Sequence, residues 1–384
     1  MRDDIEALTA WRRALHRAPE ISGEEIATAA AVADRLTRLS PDDLATGVGG
    51  HGVLARFAGS APHRRVLLRC ELDGLPIAEQ NPDLAHVSMV PGKGHMCGHD
   101  GHMAILMGVA ERLADQRIDG LDVVLLFQPA EETGAGARAV INDPAFAAFR
   151  PDFAVSLHNM PGLPLGHVQV RPGPFACASR GLRIVLAGRT AHASQPETGL
   201  SPARAMCDIT ALVPDLTDTA SVDGLPRRTA TLTHARLGAP TFGVAPGEAE
   251  IRVTLRTVLD DDMAALTAHM REASTAIAQR DGLEISFEEQ DVFSASTNHP
   301  AVVDAIHRAA QTSGTPLAVQ PQPMRFSEDF GEMGALCPSA MFLLGAGETC
   351  PALHNPDYDF PDALIAPGIA MFMGCLHELR GQNG

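Results

Sequence analysis

The segment His95-Met96-Cys97-Gly98-His99-Asp100-Gly101-His102 packs four potential metal ligands and one acid into eight residues. A thiolate beside imidazoles suits a borderline-soft divalent ion such as Zn²⁺. Gly98 and Gly101 allow the backbone to bend, so that neighbouring side chains can face one centre. The chain has 16 His in 384 residues, and this local density makes a chance loop composition the poorer reading.

Glu131-Glu132 forms a second group. Adjacent carboxylates at a strand end point in different directions, so one can bind a cation while the other takes a proton from water. On a surface helix such a pair is merely solvated, but here it follows an apolar run and Pro129. His158 and His354 are lone histidines, usually structural, and their case rests on position. A different chemistry is also open: Cys97 near His99 is the pairing a thiol hydrolase uses, although it leaves the other His and Glu residues without a task. A metal or small-molecule binder without catalysis is a third reading, and it gives Glu131 no purpose. Gly134-Ala135-Gly136-Ala137 lacks the third glycine of a phosphate loop.

The elements that position these residues follow from hydrophobic periodicity. Arg64–Arg69, Val123–Phe127, Phe153–Leu157 and Ala340–Leu344 read as strands. The first leads into Glu71-Leu72-Asp73, the second into Glu131-Glu132, the third into His158, and the fourth precedes His354 by a short loop. Helical patterns at Asp4–Leu15, His102–Leu113 and before Asn142 alternate with them, which predicts an α/β sheet covered on both faces. In such sheets ligands bind beyond the carboxyl ends of the strands. Between Ser179 and Phe287 the texture changes to strands at Leu182–Leu186 and Glu250–Leu255 with helices at Ser201–Leu212 and Asp262–Ala278, predicting an inserted α+β unit.

Composition narrows the classes. Hydrophobic residues make up 45% and charged residues 20%, with aromatics at only 4%, so the core is aliphatic. A formal net charge of −17 repels nucleic acid and anionic membranes. The segment Met1-Arg2-Asp3-Asp4-Ile5-Glu6 lacks an apolar signal core, and no run of 18 apolar residues occurs. Seven Cys, an odd number, read as free thiols in a reducing compartment, and cytoplasm is the expectation.

Taken together, the motifs are similar to those of a known group. The chain resembles the amidohydrolase branch of the dinuclear metallopeptidases, which includes hippurate hydrolases, N-acyl amino acid deacylases and auxin-conjugate hydrolases. The resemblance runs in order from Arg13-Ala14-Leu15-His16-Arg17-Ala18-Pro19-Glu20 through Leu72-Asp73-Gly74-Leu75-Pro76-Ile77 and Met96–His102 to Gln128-Pro129-Ala130-Glu131-Glu132. It continues through Leu157-His158, Gly188-Arg189-Thr190-Ala191-His192-Ala193, Ser327-Glu328-Asp329-Phe330 and Leu353-His354-Asn355-Pro356.

The resemblance implies a mixed-sheet, dinuclear-metal exopeptidase-like catalytic domain (1–178 and 288–384) with an inserted α+β lid or dimerisation domain (179–287). It implies two divalent ions per subunit (Zn, Mn, Co or Ni) held by Cys97, His99, Glu132, His158 and His354. Glu131 is expected as general base, and His192 is expected to hold the substrate carbonyl in its own subunit or across a homodimer. Asp73 and Asp100 are the expected carboxylates orienting ligand imidazoles, and Arg256 and Arg325 are candidates for a substrate carboxylate. The expected substrate is a small N-acyl amino acid or related amide. One departure stands out: the family commonly has Asp-x-Asp where this chain has Glu71-Leu72-Asp73.

Overall fold

The computed structural model describes residues 2–218 and 220–381. The chain divides into two compact units. The first holds residues up to Phe175, Ser296–Pro321 and those from Asp329 onward; the second holds Ala176–Ala295 together with Gln322–Glu328. The inserted unit therefore extends past 287, because the strand Glu284–Phe293 keeps pairing with Ala178–Ala187 as far as Phe293 opposite Ser179. It also recruits a short segment from late in the chain that carries Arg325. The outermost residues of the expected catalytic domain, 1 and 382–384, lie outside the described residues.

The first unit is built on an eight-stranded mixed sheet. Its order is Asp43–Val48, Gly52–Ala58, Leu121–Gln128, Arg64–Glu71, Phe153–Pro161, Ser339–Gly347, Val168–Val170 and Leu317–Val319. The four central strands run parallel. Gly52–Ala58 and Val168–Val170 flank them in the antiparallel sense. Every residue of Leu121–Gln128 is buried, as expected for a strand covered on both faces.

Alternate residues Val66, Leu68 and Cys70, with Val123, Leu125 and Phe127, join a core that includes the helices Arg2–His16, Ile26–Arg38, His99–Asp115, Pro300–Ser313 and Ile365–Arg380. The intervening Leu67, Val124, Leu126 and Leu343 are equally buried. The short helix Gly136–Asn142 packs against Leu121–Gln128. The segment Asp362–Arg380 has the length and apolarity of a membrane span, but half of it is buried within the fold, packed on its neighbouring helices.

The second unit is a four-stranded antiparallel sheet in the order Arg228–Leu237, Glu248–Thr257, Ala178–Ala187, Glu284–Phe293. Leu182, Ile184 and Leu186 alternate inward with Ala249, Ile251, Val253 and Leu255, and meet Ala205 and Ile209 of the helix Ala203–Leu212 and Met263, Leu266 and Met270 of Asp260–Arg280. The outward residues include several charged ones, among them an Arg183–Glu250 pair. This inward–outward alternation is the pattern of a sheet buried on one face.

Candidate metal centre

The four parallel strands end along one edge of the first sheet, and the chain there carries Glu71, Glu131-Glu132, His158 and His354. Gly98 links this edge to the His99–Asp115 helix. It adopts φ of +87°, and a Cβ there would lie 2.8 Å from the Asn159 side chain, so only glycine makes this turn. The turn brings Cys97 and His99 to one place although they flank a helix start. Gly101 serves closeness rather than bending, since a Cβ at that position would overlap the Phe360 ring at 2.3 Å.

The five residues expected as ligands converge within the first unit. Cys97 Sγ is 3.5 Å from His158 Nε2. His354 Nε2 is 3.5 Å from a Glu132 oxygen. His99 Nε2 lies 3.9 Å from an oxygen of Glu131 and 3.9 Å from one of Glu132. Ligand atoms of Cys97, His99 and His158, and of Cys97, Glu132 and His354, each fall within 4.8 Å of one another. His354 holds φ of +65°, unusual for a non-glycine residue, and its amide donates to the Met96 carbonyl at 2.8 Å.

The imidazoles are pre-set by main-chain acceptors. His99 Nδ1 donates to the Asp73 carbonyl at 2.8 Å, and His158 Nδ1 to the Asn159 carbonyl at 2.7 Å. In both rings Nε2 is left to face the cluster. Asp73 also accepts from Ser22 Oγ at 2.7 Å and from the Glu132 amide at 3.0 Å, tying His99 to the glutamate turn.

Asp100 does not take the orienting role expected of it. It follows His99 in the helix, so its side chain turns about 100° away. There it accepts from His16 Nδ1 at 2.8 Å and from Arg12 Nη1 at 3.1 Å. His95 is buried, and neither ring nitrogen has a hydrogen-bond partner among the described residues.

His102, one of the four potential ligands of the His95–His102 segment, is engaged elsewhere, and Gln128 and Asp329 gain partners that the sequence does not announce. His102 Nδ1 donates to Glu71 at 2.6 Å, and its Nε2 accepts from the Asn159 amide at 3.2 Å. Glu71 also pairs with Arg69, whose Nη2 reaches Asp329 at 2.6 Å. Gln128 donates to Asp329 and accepts from Arg69 Nε. His102 and Gln128 lie inside quoted motifs, and the signal that could have singled them out is the need of a buried Arg and a buried Glu for partners.

Electrostatics separate the roles. Burial opposes a charge on His99, but its hydrogen bond to Asp73 and the nearby Glu71 and Glu132 raise its pKa to about 10. Burial, with His102 close by, lowers His158 to about 3. Burial, reinforced by Glu132, Glu131 and Glu71, holds the Cys97 thiol well above the ordinary range. That is the reverse of an activated nucleophile, and it weighs against a thiol hydrolase.

The donor set fits a divalent ion. His99 Nε2 is buried without a hydrogen-bond partner among the described residues, yet faces two carboxylates at a separation too long for hydrogen bonding and suited to a shared cation. One thiol, three imidazoles and a carboxylate form a borderline-soft set.

His192, Arg256 and Arg325 belong to the second unit. His192 is exposed on the two-residue strand Ala191–His192, and its Nδ1 accepts from the Ser194 amide at 3.1 Å, which leaves the proton on Nε2. Arg256 donates to the Arg325 carbonyl at 3.0 Å and to Ser327 Oγ at 2.9 Å. Among the described residues neither guanidinium joins an ion pair. Both line a cavity of about 320 Å³ together with Cys177, Leu225, Thr229 and Thr231.

Comparison with known proteins gives a consistent picture. Residues 67–378 match the family described as Peptidase family M20/M25/M40. The chain is 31% identical to an N-acetyldiaminopimelate deacetylase of Enterococcus faecalis, covering 97% of this chain and 98% of that protein. It is 29% identical to the N-acetylcysteine deacetylase of Bacillus subtilis, covering 92% of each. The crystal structure of the Bacillus subtilis YXEP protein, a dinuclear metal binding peptidase from the M20 family, superposes with a TM-score of 0.83 at 25% identity, covering 100% of this chain and 99% of that one.

Proposed function

Since this chain belongs to peptidase family M20/M25/M40 and is thus a metal-dependent hydrolase of amide bonds, we propose that it removes the acyl group from N-acyl amino acids, N-acetyl amino acids foremost. The observation that carries this is the convergence of Cys97, His99, His158, Glu132 and His354 beside the buried carboxylate of Glu131. Those five residues would hold two divalent ions, which when bound would lower the pKa of a water and polarise an amide carbonyl.

Glu131 takes the proton of the attacking water and later delivers it to the leaving amine. Its place supports this: a buried carboxylate in the same turn as the ligand Glu132, with an oxygen 3.9 Å from His99 Nε2. His192 donates from Nε2 to the carbonyl oxygen as negative charge develops there. Arg256 and Arg325 receive the substrate carboxylate, a role favoured by their shared cavity and their lack of ion-pair partners. The two relatives named above as deacetylases support a small acyl group. We further propose a homodimer, and a reducing, cytoplasmic setting in keeping with seven unpaired cysteines.

The test is a screen of N-acetyl, longer N-acyl and benzoyl amino acids, with free amine as readout, run on wild type and Glu131→Gln. Wild type is expected to prefer N-acetyl substrates. The variant is expected to keep its metal and lose about 10²–10⁴-fold in kcat. Wild-type turnover by Glu131→Gln removes the assigned base, and inertness toward every N-acyl amino acid removes the substrate class.

A further inference from the structure

We propose that Glu25 is a positioning residue for the base, holding the Ala130 amide so that the turn presents Glu131 and Glu132 together toward His99. The inference rests on the reading of Glu131 as proton acceptor.

Glu25 stands immediately before the Ile26–Arg38 helix, at the N-cap position, where a side-chain oxygen can accept from the first helix amides. It does not do so. Glu20 takes over the capping, accepting from the Ala27 amide at 3.1 Å, the Thr28 amide at 2.7 Å and Thr28 Oγ1 at 2.9 Å. Glu25 is thereby free to turn inward, is fully buried, and accepts from the Ala130 amide at 2.7 Å.

Burying a carboxylate is costly, and the Ala130 amide from which it accepts is unusual. Ala130 has φ of +49°, a conformation that L side chains disfavour, and it directly precedes Glu131-Glu132. Release of Ala130 to an ordinary φ would re-aim both glutamates. The same loop also touches the other carboxylate turn. Ser22 Oγ donates to Asp73, and the Gly74 amide donates to the Glu20 carbonyl at 2.7 Å. The Arg13–Glu20 motif and the residues after it thus act as a brace beneath Asp73 and Glu131 together, which gives that motif a purpose the reaction itself does not.

The experiment compares Glu25→Ala, Glu25→Gln and Glu131→Gln in the metal-loaded full chain, with N-acetylalanine and hippurate as probes. A misplaced base costs about a hundredfold in rate. Glu25→Ala is therefore expected to lose about that in kcat, with KM changed less than about threefold. Glu25→Gln keeps an oxygen for the Ala130 amide and is expected to retain more than about a third of wild-type kcat. Glycine adopts positive φ freely, so the loss caused by Glu25→Ala is expected to shrink about tenfold in an Ala130→Gly background, a coupling that general destabilisation would not produce.

Amide hydrogen exchange at Ala130 is read independently of turnover: protected in wild type and Glu25→Gln, about tenfold or more faster in Glu25→Ala. Wild-type kcat in Glu25→Ala while Glu131→Gln is dead overturns this inference and leaves the base intact. An active Glu131→Gln overturns the base instead. Equal losses in the Ala and Gln variants, or unchanged exchange at Ala130, also overturn the inference. Exchange decides alone if neither probe is hydrolysed or if a variant expresses poorly, since Ala130→Gly and Glu25→Gln can be measured separately.

Discussion

Cys97 Sγ sits 3.5 Å from His158 Nε2, although the two residues are 61 positions apart and one lies in a glycine turn and the other in a buried strand. Both polar atoms are aimed at each other from elements with no local reason to meet. Cys97→Ala and His158→Ala are each expected to weaken divalent-ion binding by more than the roughly 10–100-fold typical of losing an outer partner. Metal content after dialysis against a graded chelator measures this. Full retention of two ions per chain in either variant excludes that residue as a ligand.

Loading should depend steeply on pH. In the metal-free protein His99 keeps its proton up to about pH 10, and the Cys97 thiol keeps its own well above the usual thiol range. A bound cation displaces these protons. Affinity is therefore expected to fall as pH is lowered, by about tenfold per pH unit for each proton released. Calorimetric titration of the apo-protein with Zn²⁺ at several pH values, in buffers of different ionisation heat, counts the protons. A flat profile between pH 6 and 9 contradicts the picture.

A second pH effect lies away from the ligands. Burial opposes protonation of His16, but its bond to Asp100 raises the pKa to about 10, above the ordinary value of 6.5. The proton is bound more tightly in the folded state, so its stabilisation is complete below pH 6.5 and is lost as pH rises through about 10. Asp100 behaves oppositely. Burial acts against its charge, but His16 and Arg12 hold its pKa far below the carboxylate range, so its contribution persists in acid. His16→Asn is expected to flatten the fall in stability between pH 6.5 and 10, measured by urea unfolding at fixed metal concentration. Parallel wild-type and variant curves argue against the assignment.

Glu71 departs from the aspartate common in the family, and the structure gives its extra length a use: it spans from Arg69 to His102. Glu71→Asp is expected to break the 2.6 Å contact to His102 and destabilise the protein by about 1–3 kcal/mol, because buried polar groups lose a partner. Thermal unfolding of the apo-protein reads this directly. An unchanged or higher midpoint means the His102 contact carries no weight.

Much of the centre was legible because the residues in question lie where an apolar run stops. Val123–Phe127 and Phe153–Leu157 could be read as buried strands, and Glu131, Glu132 and His158 follow from their ends. Asp100 faces the imidazole of His16 rather than that of a ligand, because it follows His99 in a helix that turns successive side chains apart, a separation that adjacency in the sequence does not display. The Arg69–Glu71–Asp329–Gln128 network was not legible as such, since it joins a strand interior to a residue 260 positions away. Arg228–Leu237 was missed because most of its residues are exposed, so no inward–outward alternation marks it. The transfer of Gln322–Glu328 to the second unit left no compositional trace.

The strand Ser339–Gly347 occupies an interior slot between Phe153–Pro161 and Val168–Val170, both of which are synthesised long before it. While the polypeptide is still emerging from the ribosome, those earlier strands present two unpaired rims around a vacant lane, a hazard for aggregation. The same late arrival delivers His354, so the cation cage stays incomplete until that residue has been made. Hydrolytic power is thus withheld from the nascent polypeptide by the order in which its parts are made.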